Sequence, residues 1–193
     1  TIFLMPILYN AMARDQITLG LSMHRPELIS FTADRMRHHD AVFLEEPPTD
    51  GFEQMLTGAL AVKDYLKPLD VEFPAFSTEM CYLMRELQSE GIRIFQVEPY
   101  LEILLGIHEF FAKGHGPEDL DKQSAQYPVY LAERNATGAL LAFYNTALAG
   151  SFDKSLAAVK RFARLDAARF RLRDSLRAQA LAPLLEKFSS AYI

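Results

Sequence analysis

Ala41-Val42-Phe43-Leu44-Glu45-Glu46-Pro47-Pro48 is the stretch on which the fold turns. Four consecutive apolar residues, cut off by two acids and two prolines, are too few for a helix and read as a strand. A run without polar alternation is apolar on both faces, and strands covered by helices on both sides belong to parallel sheets. Working outward, Ile92-Arg93-Ile94-Phe95-Gln96-Val97 is another convincing strand and ends in Glu98-Pro99. Ile17-Thr18-Leu19-Gly20-Leu21 is a shorter β-rich run that leads into Ser22-Met23-His24. The apolar segment Thr1 to Tyr9 also reads as a buried strand, being too short to span a bilayer and lacking the basic start of a signal peptide.

Helices fill the intervals. Arg25-Pro26-Glu27 opens one that runs to about Arg37, with proline early and an acid in the first turn. Phe52 to about Leu66 reads as the next, broken by Pro68; Pro74 to Glu90 follows, stopped by Gly91; Tyr100 to Lys113 comes after the second strand. Beyond the turn Gly114-His115-Gly116-Pro117 the chain is helical, from about Tyr127 to Ala149 and from Phe152 to Phe188, as one long helix or two in the second case. Ser190-Ala191-Tyr192-Ile193 reads as the start of a strand that rejoins the sheet. The expected fold is therefore α/β, with a mostly parallel central sheet flanked by helices and a long helical C-terminal segment. We read residues 1–193 as a single α/β domain: an α/β part over 1–116, a helical segment over 117–188, and a closing strand that starts at 189–193.

The 193 residues are half hydrophobic and 23% charged, an ordinary globular balance. A net charge of −5 argues against nucleic acid as the main partner, because phosphate contacts need a basic footprint. Nothing specifies a membrane partner. The single cysteine, Cys81, has no CxxC spacing and lies in an apolar helical context, so it reads as a packing thiol in a reducing, cytoplasmic compartment. Leu140, Leu141, Phe143, Tyr144 and Leu148 offer a broad apolar surface, read as core in preference to a homodimer contact. His108, inside an apolar helix, reads as a packing residue, and His38-His39 as a favourable charge at a helix C-terminus.

Ligands in parallel α/β sheets bind beyond the carboxyl ends of the strands. His24, Glu45, Glu46 and Glu98 all follow candidate strands, so one histidine and several carboxylates share one rim and suit a divalent metal or acid–base work. Each also has a plainer explanation: a loop histidine, solvated glutamates, or a carboxylate at a helix N-terminus. Adjacent strand residues point to opposite faces, so Glu45 and Glu46 cannot both face the same cleft. Arg171, Asp174 and Arg177 recur every three residues on the last helix, as a solvated ion-paired face or as a source of an inward arginine.

These residues resemble, in order, the motifs of the TraB/PrgY and Tiki proteins, within the wider group of erythromycin esterase and ChaN-like proteins. Gly20-Leu21-Ser22-Met23-His24 resembles the glycine–histidine motif, Ala41 to Glu45 the strand ending in glutamate, and Gly91 to Glu98 the next strand with its acidic end. Arg171-Leu172-Arg173-Asp174-Ser175-Leu176-Arg177-Ala178 resembles the late Arg-Asp…Arg-Ala helix. In that group a second glycine–histidine motif follows the closing strand, which here reaches Ile193. The resemblance implies a metal-dependent hydrolase acting on a peptide, ester or other small substrate. In it, His24 and Glu45 are divalent-metal ligands, Glu45 and Glu98 catalytic carboxylates, and Arg171 an anion stabiliser, with Arg177 and Asp174 toward the substrate. The alternatives are a non-catalytic module that binds a small molecule or haem in the same cleft, and a regulatory interaction protein.

Overall fold

The computed structural model describes residues 16–20 and 23–193; the strand expected over Thr1–Tyr9, and Leu21 and Ser22 of the glycine–histidine motif, lie outside them. The chain forms two compact units, one of residues up to Glu98 together with Ala180–Ile193, the other of Pro99–Gln179.

The first unit is built on a four-stranded sheet of order β1-β4-β2-β3, parallel at every described pairing. Its strands are β1 (Gln16–Thr18), β2 (Ala41–Leu44), β3 (Arg93–Gln96) and β4 (Ser190–Tyr192). The helices of this unit are α1 (Ile29–Met36), entered through a 3-10 turn at Pro26–Leu28, then α2 (Phe52–Thr57), α3 (Val62–Leu66) and α4 (Pro74–Ser89). The expected α/β architecture is thus present, and the closing strand does rejoin the sheet. It does so in the interior, between β1 and β2.

Residues of period two sort onto the two faces of the sheet. Val42 and Ile94 pack with Ala33, Met36, Met55, Tyr65, Met84 and Leu87, the buried sides of α1 to α4. Ala41, Phe43, Val97 and Ala191 pack on the other face with Leu181, Leu184 and Phe188. There the rings of Phe43 and Phe95 stack at 5.2 Å and Phe188 leans on both. Burying one such ring contributes about 2–3 kcal/mol, which is why both faces of β2 are apolar.

The single helix expected from Phe52 to Leu66 is two. Gly58 adopts φ 80°, left-handed, and the Leu60 N–H returns to the Gln54 carbonyl, so α2 closes on itself before α3 begins. Gly91 does the same at the end of α4: with φ 95°, its N–H bonds to Gln88 and that of Ile92 to Leu87, a Schellman closure that delivers the chain into β3.

The second unit is helical: α5 (Pro99–Ala112), α6 (Gln126–Ala149) and the part of α7 (Phe152–Leu185) that precedes Ala180. The segment from Phe152 is one helix of 34 residues. Tyr100 and Ile107 of α5 and Val129 of α6 form the buried centre of this unit. Two expectations fail here. His108 is exposed, lying one position from buried Ile107 and therefore turned about 100° off the inward stripe. Leu141, Tyr144 and Leu148 are exposed too (57%, 53% and 88%), because no described element covers that side of α6; Leu140 and Phe143 are half-buried. Among the described residues no helix is long and apolar enough to cross a membrane.

Candidate functional site

Parallel strands bring all their carboxyl ends to one edge, and the sequence loads that edge with polar groups. His24 lies between β1 and α1, Glu45 and Glu46 directly follow β2, and Glu98 follows β3. The edge is closely built where β1 meets β4. The Gly20 N–H donates to the Ile193 carbonyl (2.7 Å) and Ile193 donates to Thr18 (2.8 Å), and a Cβ on Gly20 would run into the Tyr192 phenol.

His24 has φ 52°, the left-handed region, and is the one non-glycine residue with positive φ among the described residues. Its ring stacks on Phe73 (4.9 Å, 4° between planes) and meets Phe76 edge-on (5.2 Å), at the start of α4. Because α4 runs back against the strands before β3, its first turn belongs at the same carboxyl edge. The ring of His24 thus rests against two phenylalanines, although the residue is exposed.

Glu46 is tied into a network that the sequence reading missed. The Gln96 side-chain amide donates to Glu46 Oε2 (3.2 Å), while Gln96 Oε1 accepts from the Thr49 N–H (3.0 Å). The Thr49 hydroxyl bonds the Tyr65 hydroxyl at 2.6 Å. Burial pushes the Tyr65 phenol above its usual range, and the Glu46 charge adds to the rise against the two hydrogen bonds. The Cys81 thiol is pushed up to about 11, by burial first and the Glu46 charge second. This fits the packing role expected of Cys81. Gln96, a polar residue at the carboxyl end of β3, was the one local signal for this network; Tyr65 and Thr49 carried none.

Glu45 is exposed, one residue before Glu46, whereas Glu98 is completely buried. A carboxylate out of water is retained only where the fold supplies compensating contacts. Arg171, Asp174 and Arg177 all lie on α7 in the second unit, the first two exposed and Arg177 half-buried. This unit also builds a polar cluster. Tyr100 donates to Glu133 (2.7 Å), and Arg169 bridges Glu133 (3.2 Å) and Asp166 (2.8 Å). Burial, then the Glu133 contact, raises the Tyr100 phenol far above its usual range.

Among the described residues no three His, Cys, Asp or Glu side chains are grouped as a bound metal needs. A catalytic zinc takes three protein ligands, which the described residues do not bring together.

No family model matches the chain, and no solved structure matches it significantly. It is similar to an uncharacterised protein of Archaeoglobus fulgidus, 29% identical over 162 residues. That alignment covers 84% of this chain and 55% of the relative, so the chain spans about half the length of the protein it matches.

Proposed function

We propose that the carboxyl edge of the first unit is a hydrolytic site for a peptide, ester or other small carbonyl substrate, with His24, Glu45 and Glu98 as its chemical groups. The observation that carries this reading is the conformation of His24. Holding a non-glycine residue left-handed costs roughly 1–2 kcal/mol and marks functional sites more often than chance, and here the ring so presented rests on Phe73 and Phe76. The edge location supports ligand binding, and the order of motifs resembling the TraB/PrgY and Tiki group supports the reaction class.

In this mechanism the Glu45 carboxylate takes a proton from water as the oxygen adds to the carbonyl carbon. His24 then gives a proton to the departing oxygen or nitrogen as that bond breaks. Glu98, buried, acts by orientation rather than by meeting bulk water.

The test is turnover of chromogenic esters and fluorogenic peptides by the wild type and by His24→Ala and Glu45→Gln, with folding followed by circular dichroism. Each substitution is expected to lower kcat/KM by about 100-fold or more. Turnover unchanged in both variants would sink the proposal, and ligand retention without turnover would put a non-catalytic binding module ahead. Elemental analysis of the same samples decides the divalent ion: near-stoichiometric metal that disappears in both variants would add it to this site.

A further inference from the structure

The end of the α6–α7 hairpin joins exposed apolar side chains to a basic collar. From Asn135 to Phe152 the chain carries no charged residue at all. Leu141, Tyr144 and Leu148 recur at helical spacing on α6 and are all exposed, and across the Gly150-Ser151 turn Phe152 (79%) and Leu156 (38%) are exposed as well. Along one side of α7, Phe152, Leu156, Lys160 and Arg164 succeed one another four residues apart: two apolar residues at the tip, then two cations. Arg161 and Lys154 are exposed beside them, and none of these four cations forms an ion pair among the described residues. Between residues 135 and 165 the one acid is Asp153, in a chain whose net charge is −5.

We infer that this hairpin end is a shallow docking surface for an anionic lipid membrane. At 1.5 Å per residue the exposed apolar side chains occupy the last ~13 Å of the hairpin, and Lys160, Arg161 and Arg164 follow at roughly 12–18 Å from the tip. That gradation matches a bilayer interface, where apolar groups enter ~5–10 Å and lysine and arginine stay at the level of anionic headgroups. Tyr144, with an apolar body and a polar end, suits the same boundary. Asp153 and Lys154 at the tip keep the seating shallow, and no described helix is apolar enough to go further. A second copy fits less well. Paired in parallel, the hairpins would set the basic collars against each other; paired antiparallel, each collar would lie against the other's Phe152 and Leu156.

The experiment is co-sedimentation of the chain with phosphatidylcholine vesicles, with and without 30 mol% phosphatidylglycerol. Binding is expected to the anionic vesicles, falling several-fold between 50 and 500 mM salt. The double variant Leu148→Ser/Phe152→Ser and the double variant Lys160→Glu/Arg164→Glu are each expected to lower it at least tenfold. Both alter exposed positions, and circular dichroism checks that the fold is kept. Absence of binding to anionic vesicles, or binding equal in both variants and the wild type, overturns the inference. So does a lipid-free dimer in analytical ultracentrifugation that Leu148→Ser/Phe152→Ser dissolves, which would assign the surface to a second copy.

Discussion

The side-chain amide of Gln96 holds the carboxylate of Glu46 at 3.2 Å, joining the end of β3 to the residues that leave β2. Of the two adjacent glutamates, Glu46 is the one this bond ties to β3. Gln96 does more than its hydrogen-bond count suggests, since its carbonyl oxygen also fixes the loop through Thr49, and Thr49 in turn fixes the buried Tyr65 hydroxyl.

Replacing Gln96 with Leu is expected to cost about 1–3 kcal/mol, because the Thr49 N–H and a buried phenol lose a partner. Glu46→Gln, at an exposed position, is expected to change stability by less than about 0.5 kcal/mol. Urea midpoints of the two variants measure this; equal losses would show that Gln96 does not organise the network.

Asp40 decides where β4 enters. Its Oδ2 accepts the N–H groups of Ser189 (3.1 Å) and Ser190 (3.0 Å), and its own N–H donates to the Ser190 hydroxyl. Asp40→Ala is expected to destabilise by about 1–2 kcal/mol and Asp40→Asn by less, since the amide oxygen still accepts. Hydrogen exchange at Ala191 and Tyr192 should speed up in the alanine variant before the amides of β3 change.

Gly20 and Tyr192 are coupled by space alone. Gly20→Ala is expected to cost about 1–3 kcal/mol, since the new methyl meets the phenol ring. In Gly20→Ala/Tyr192→Ala the obstruction is gone, so the double variant should be more stable than the sum of the single effects predicts. Additive losses in a denaturation cycle would contradict the contact.

Alkaline pH is expected to weaken the fold through Cys81. Its folded pKa, about 11, lies above the value of about 8.5 for an unfolded thiol. The folded state thus holds the proton more tightly. This contribution is complete below about pH 8.5 and is lost as pH rises through 11. Tyr65 shifts in the same direction. Between pH 8 and 11 the melting temperature of the wild type should fall more than that of Cys81→Ala, and alkylation of native Cys81 at pH 8 should be slow. Parallel curves for the two proteins would show that the thiol is not desolvated.

Much of the fold was legible because its signals are local. Ala41 to Leu44 declares a strand covered on both faces by consecutive apolar residues, Ile92 to Val97 a second β-rich run, and Gly91 and Pro74 mark helix ends through constraints on their own backbones. The rim position of His24, Glu45 and Glu98 followed from the same reading, since parallel strands share one carboxyl edge. Tertiary structure alone decided the rest. The place of β4 between β1 and β2 rests on hydrogen bonds such as Asp40 to Ser190, which span 150 residues of chain. The tie on Glu46 comes from Gln96, 50 residues away. The apolar run Leu140 to Leu148 reads the same in sequence whether or not another element covers it; its exposure depends on what packs against α6, which no local pattern encodes.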